Sequence, residues 1–192
     1  MGNKAAVRGD FDACKDDIIL VFAKGMGVDT KTAACGFVLE IFRIGHLDII
    51  TRSSKLFDKV IVVVMRNFSK NAGSFTTEER VDFIKRCTKD LGNVSVDTYS
   101  GLLADYVREK GASAVVKGLR AISDYDDEFR QALTNQRLNS EMETIFMVSN
   151  AEHMFLSSSV VKEVCRLGGD ITQFVPAEIC DDIIKRLGMN NA

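Results

Sequence analysis

Four stretches of the chain carry residues suited to holding a polyphosphate. Gly45-His46 stands where a helix should begin, and Lys70 lies in a polar loop. Lys117-Gly118-Leu119-Arg120 follows a short apolar run, and Ser157-Ser158-Ser159 opens a later helical stretch. The chemistry these types share is anion binding with charge stabilisation. Helix N-termini offer free N–H groups and the positive end of a dipole to phosphate. Lysine neutralises phosphate oxygens as a point charge, and arginine can grip two at once. Glycine lets the backbone approach a ligand closely. A histidine aimed at a reacting phosphorus can stabilise charge that develops there. No Gly-x-x-x-x-Gly-Lys-Ser/Thr loop is present, which argues against a P-loop nucleotidase. Two histidines (His46, His153) and five scattered cysteines show no zinc-ligand spacing.

The elements around these residues must bring them to one edge. Gly45 to Phe57 has helical periodicity, and Asp58 to Met65 reads as a strand buried on both faces. Thr76-Thr77-Glu78-Glu79 fits a capping box, with Thr76 as cap, opening a helix to about Leu91. Strands are predicted at 32–35, 94–98, 114–116 and 144–148, and helices at 102–110, 122–138 and 157–167. Pro176, the only proline, fits the first turn of a last helix ending near Leu187-Gly188. Strands alternating with helices predict an α/β, Rossmann-like, doubly wound parallel sheet in a single domain. Right-handed crossovers place all strand C-termini, and the ligand site, on one edge. Residues 1–31 show no clear helix or strand period and are expected to be an extension, with the domain itself spanning 32–188.

A length of 192 residues, 46% hydrophobic and 27% charged, suits one globular domain. A net charge of −2 argues against a general nucleic-acid binder but leaves room for a local basic pocket. The longest apolar run, Ile18 to Ala23, is too short to span a membrane, and acidic Asp16-Asp17 precede it. A cytoplasmic protein with reduced thiols is expected.

Five stretches together resemble one family. Gly45-His46-Leu47-Asp48-Ile49-Ile50-Thr51-Arg52 and Phe75-Thr76-Thr77-Glu78-Glu79-Arg80 are followed by Lys117-Gly118-Leu119-Arg120-Ala121 and Asp124-Tyr125-Asp126-Asp127-Glu128. Ser157-Ser158-Ser159-Val160-Val161-Lys162-Glu163-Val164 is the fifth. From Gly45 to about Leu187 the chain resembles the bacterial phosphopantetheine adenylyltransferases, nucleotidyltransferases with a His-x-Gly-His-type signature. The resemblance implies transfer of the adenylyl group of ATP to 4′-phosphopantetheine, giving dephospho-coenzyme A and pyrophosphate. It also implies Mg2+ as cofactor and a homohexamer, with neither nucleic acid nor membrane as partner.

Carried over by position, the resemblance makes His46 the residue that stabilises the transition state at the α-phosphate. Lys70 becomes a catalytic and substrate-binding lysine, Leu103 a contact to the pantetheine arm, and Lys117 a substrate-binding cation where the family has arginine. Gly118, Leu119 and Arg120 become an ATP-binding turn, with Arg120 also catalytic, and Glu128 an acidic residue at the nucleotide. His153, Met154, Phe155, Leu156, Ser157, Ser158 and Ser159 become the segment that cradles ATP. Two other readings fit the same residues: a transferase acting on a different phosphate acceptor, and a catalytically impaired ATP- or coenzyme A-binding homologue.

The resemblance fails upstream. The family pattern Gly-Ser/Thr-Phe-Asp-Pro-x-Thr-x-Gly-His is replaced here by Gly36-Phe37-Val38-Leu39-Glu40-Ile41-Phe42-Arg43-Ile44-Gly45-His46. Arg43 stands where the signature has Thr or His. The contrast predicts an altered or frame-shifted 5′ end joined to family sequence near Ile44. Translation of all upstream frames checks it: no frame encoding a Ser/Thr-Phe-Asp-Pro segment would end the idea.

Overall fold

The computed structural model describes residues 18–24, 31–37, 40–65 and 73–188. Six strands form one sheet: β1 (Ile18–Lys24), β2 (Lys31–Phe37), β3 (Lys59–Met65), β4 (Val94–Tyr99), β5 (Ala112–Leu119) and β6 (Glu143–Val148). Six helices connect or cover them: α1 (Ile44–Leu56), α2 (Thr77–Cys87), α3 (Leu103–Glu109), α4 (Ile122–Leu138), α5 (Ser158–Arg166) and α6 (Ala177–Leu187). The strand order is β4-β3-β1-β2-β5-β6, with β3–β2 and β1–β5 also paired. The β2–β3, β3–β4 and β5–β6 ladders are parallel, so the α/β Rossmann-like expectation holds.

Two expectations at the N-terminal side need correction. Ile18–Lys24, assigned above to an extension, is a strand that runs antiparallel to β2 from Ile18↔Phe37 to Lys24↔Lys31 and also pairs with β5. Its Ile-Ile-Leu-Val-Phe-Ala run is apolar without alternation, which leaves no periodic signal and suits a strand inside a sheet. Gly36 and Phe37 belong to β2 rather than to the loop before α1. Residues 1–17 lie outside the described residues.

Strand alternation sorts the core. Val60, Val62 and Val64 pack under α1, α2, α5 and α6, with Ile49, Ile50, Ile84, Val161 and Ile183. Ile61, Val63 and Val115 face the other side, with Tyr106, Val107 and Met142. This two-sided burial explains why β3 is a continuous apolar run. The start of α2 bears out its capping box: Thr76 Oγ1 accepts from the Glu79 N–H at 3.2 Å, and Glu79 Oε2 accepts from the Thr76 N–H at 2.7 Å.

Candidate functional site

The start of α1 is built without a Ser, Thr, Asp or Asn cap. Arg43 occupies the cap position in extended conformation, φ −119° and ψ 162°. Its backbone N–H donates to His46 Nδ1 at 3.1 Å. The histidine thus does what Glu79 does in α2, but arginine has no acceptor to complete the reciprocal bond. Accepting the Arg43 backbone N–H at Nδ1 puts the neutral ring's proton on Nε2, and accepting from the Arg43 guanidinium at Nε2 puts it on Nδ1. The imidazole is buried and lies 5.8 Å from the Phe42 ring, centroid to centroid.

Arg43 also reaches the site with its side chain. Its Nη1 donates to the Leu156 carbonyl, and its Nη2 lies 2.9 Å from His46 Nε2. Arg120, immediately after β5, donates from Nη1 to the same Leu156 carbonyl at 2.9 Å. Asp124 on α4 holds Arg120, its Oδ2 accepting from Nε and from the Arg120 backbone N–H, both at 3.2 Å. Leu156 directly precedes Ser157, the cap of α5, whose hydroxyl accepts from the Val160 N–H at 3.2 Å. Two guanidinium groups therefore meet at the carbonyl just before α5, and one of them lies against the His46 imidazole. Parallel packing explains the meeting, because the ends of β5 and β6 lie side by side and Ser149 N–H donates to the Leu119 carbonyl at 2.8 Å. Such a group can bind a polyphosphate and stabilise negative charge at a transferring phosphoryl group.

The glycines fit close approaches. A Cβ on Gly45 would come within 3.3 Å of His153 Cβ, so α1 begins against the 3-10 turn Ala151–His153. A Cβ on Gly118 would lie 3.4 Å from Ile49 Cγ1, which seats α1 on β5.

The remaining expected residues divide. Leu156 and Ser158 are buried, while Met154, Phe155 and Ser159 are exposed; the Phe155 ring stands edge-on to Phe174. Gly118 and Leu119 lie in β5, opposite Met147 and Val148, so the expected turn begins only at Arg120. The strand continues because Lys117 finds a partner inside. It is fully buried, its Nζ donating to Glu128 Oε2 and, at 2.6 Å, to Gln131 Oε1 on α4. Alternation sends Lys117 to the face covered by α4 while Gly118 faces α1. Lys117 and Glu128 thus form a buried ion pair on the face opposite His46. Leu103 is buried on that same far face, in the cluster with Tyr106 and Met142. Lys70 lies outside the described residues. Sequence reading treated Arg43 as a defect and gave Asp124 and the Leu156 carbonyl no individual role; the three-residue spacing from Arg43 to His46 was the available signal for the first.

Among the described residues no group of three or more His, Cys, Asp or Glu side chains is arranged to hold a metal ion. The Asp124 and Glu128 carboxylates are engaged by Arg120 and Lys117. No described helix is long and apolar enough to cross a membrane.

The profile of the cytidylyltransferase-like family matches residues 39–164. The chain is 53% identical over 142 residues to the phosphopantetheine adenylyltransferase of Natranaerobius thermophilus, covering 74% of this chain and 87% of that protein. It is 49% identical over 157 residues to the enzyme of the same name from Clostridium botulinum strain 657, covering 82% and 95%. The corresponding protein of Dictyoglomus thermophilum is 45% identical over 145 residues, covering 76% and 88%.

Proposed function

The chain belongs to the cytidylyltransferase-like family and, within it, to the phosphopantetheine adenylyltransferases, and from that premise we infer that it joins the adenylyl group of ATP to 4′-phosphopantetheine. An oxygen of the acceptor phosphate bonds to the α-phosphorus of ATP as the bond to the β-phosphate oxygen breaks. That electron pair leaves on pyrophosphate, and dephospho-coenzyme A is the product. No group on the protein is alkylated or phosphorylated, so the chain's contribution is positioning and charge stabilisation.

The convergence of Arg43, which contacts His46, and of Arg120 on the Leu156 carbonyl just before α5 is the observation that carries this reading. His46 Nε2–H donates to a non-bridging oxygen of the α-phosphate, where charge accumulates as the bonds exchange. Arg120, pre-set by Asp124, and the α5 N-terminus hold the rest of the triphosphate. Mg2+ enters on the nucleotide's phosphates, since the described residues offer it no cage of their own. It supplies charge neutralisation of the leaving pyrophosphate.

An apolar stripe on α4 supports a homo-oligomer. Ile122, Tyr125, Phe129 and Leu133 recur at helical spacing and are exposed, as are Ile145 and Val148 on β6. A second copy of the chain would cover them in the homohexamer that the family likeness implies. ATP and 4′-phosphopantetheine as substrates fit a cytoplasmic location.

Pyrophosphate release with ATP and 4′-phosphopantetheine tests the reaction. His46→Ala should lower kcat by about 10²–10³ with the fold retained. A fully active His46→Ala protein, or turnover only with another phosphate acceptor, would overturn it.

A further inference from the structure

The Arg80 side chain, in the first turn of α2, is half-buried, and its Nε is buried without a hydrogen-bond acceptor. Burial pushes its pKa down from the ordinary value, and the neighbouring Glu79 charge opposes that. The Glu79 carboxylate is already committed elsewhere. Its Oε2 accepts from the Thr76 N–H at 2.7 Å, and its Oε1 accepts from Arg186 Nη2. Arg186 also donates from Nη1 to the Ser74 carbonyl at 3.0 Å and lies 5.4 Å over the Phe75 ring. Gly73 leaves the Arg80 guanidinium its place, since a Cβ there would overlap Nη2. Among the described residues no carboxylate is hydrogen-bonded to Arg80. A guanidinium keeps its charge at any working pH, and a desolvated charge without a partner is costly. The missing partner is an anion supplied from outside the chain.

The place of Arg80 in the sheet decides which anion. The parallel pairings run β3–β2, β2–β5 and β5–β6. α1 follows β2 and α2 follows β3, so both helices begin at the same edge. They cover one face, where Phe83 and Ile84 of α2 share a core with Ile49 and Ile50 of α1. His46 therefore stands between two cations along that edge, Arg80 at the end of β3 and Arg120 at the end of β5. In a phosphoryl-type displacement the attacking and leaving oxygens lie roughly in line, on opposite sides of the phosphorus. With the α-phosphate at His46 and the leaving pyrophosphate on the side of Arg120 and α5, the attacking phosphate comes from the side of Arg80.

We propose that Arg80 binds the phosphate monoester of the acceptor, its guanidinium donating to the oxygens that do not attack. The inference rests on the adenylyltransferase reading above and deepens it. The fork of N–H groups on a guanidinium matches two phosphate oxygens at once, which fixes the orientation of the third. That third oxygen bonds to the α-phosphorus as the pyrophosphate oxygen departs with its electron pair. Arg80 gives up no proton in the step. It holds one anion against the repulsion of another, and releases its own desolvation cost when the phosphate arrives.

The test measures binding of 4′-phosphopantetheine, of pantetheine (which lacks the phosphate) and of ATP to wild type, Arg80→Met and Arg80→Lys. Arg80→Met should weaken 4′-phosphopantetheine about tenfold or more, while pantetheine and ATP stay within about twofold. Arg80→Lys should recover part of the loss, as a point charge without the fork. A packing role would weaken both forms of the arm alike, and that result overturns the inference. So does a loss confined to ATP, or no loss at all. In each case pyrophosphate release by the wild type leaves the adenylyltransferase reading standing. A wild type that neither releases pyrophosphate nor binds 4′-phosphopantetheine removes both. Should Arg80→Met not fold, the Arg80 Nε–H resonance of the wild type decides. Adding 4′-phosphopantetheine should move it as it gains an acceptor and pantetheine should not, and no movement refutes the contact.

Discussion

Replacing Glu128 with leucine should be among the most damaging single changes in the molecule. Glu128 and Lys117 side chains are 1% and 0% exposed, and each lies in the other's hydrogen-bonding reach. Glu128→Leu leaves the Lys117 ammonium buried without this carboxylate, its remaining amide partner Gln131 Oε1 at 2.6 Å. Removing one member of a buried pair costs about 3–5 kcal/mol, against a total stability on the order of 5–15 kcal/mol. An exposed pair would cost under about 1 kcal/mol. Lys117→Met combined with Glu128→Leu should recover much of the loss, since two apolar side chains of similar volume need no charge compensation. The chain has no tryptophan, so urea transitions are best followed by far-UV circular dichroism. Single and double variants then complete a cycle. A cost below about 1 kcal/mol for Glu128→Leu, or single-variant costs that simply add, would refute the buried pair.

Other outcomes follow from single contacts. Thr76→Ala removes the acceptor for the Glu79 N–H and should cost about 1 kcal/mol in the same urea assay; no change would mean that α2 is capped otherwise. Burial alone would raise the Asp97 carboxyl, but hydrogen bonds from Lys110, the Thr98 N–H and Tyr106 outweigh it and hold the group below its ordinary value. A depressed folded value means stability present above the unfolded carboxylate range and lost as pH falls through the folded one. Asp97→Asn should therefore flatten the acid side of the stability–pH curve, and an unaltered slope would count against these bonds. Burial pushes the Cys87 thiol up to about 12, so the native protein should alkylate there far more slowly at pH 8 than the urea-unfolded chain. Site-resolved mass spectrometry measures it, and equal rates would contradict the burial.

Local chemistry made much of the fold legible. The continuous Val-Ile-Val-Val-Val of β3, the Thr76–Glu79 capping box and the Ser157 cap of α5 each announce their element by side-chain type and spacing. β1 was illegible because an apolar run without alternation has no period to read. The end of β5 was illegible for a related reason: a charged residue such as Lys117 after an apolar run reads as the end of a strand. Only the facing α4, with Glu128 and Gln131, allows the charge to stay inside.

By itself the sequence determined the alternation of strands and helices, the edge on which the site must lie, and the family likeness beginning at Gly45-His46. Those properties live in neighbouring residues, where period and propensity act. Tertiary structure alone decided which side of the sheet each cation takes. Pleat parity sends Lys117 and Gly118 to opposite sides of the sheet, and packing joins Arg43, Arg120 and Leu156 across more than a hundred positions of chain. Arg43, an apparent flaw in a motif, has its guanidinium beside the His46 ring and on the Leu156 carbonyl, a placement that only folding could bring about.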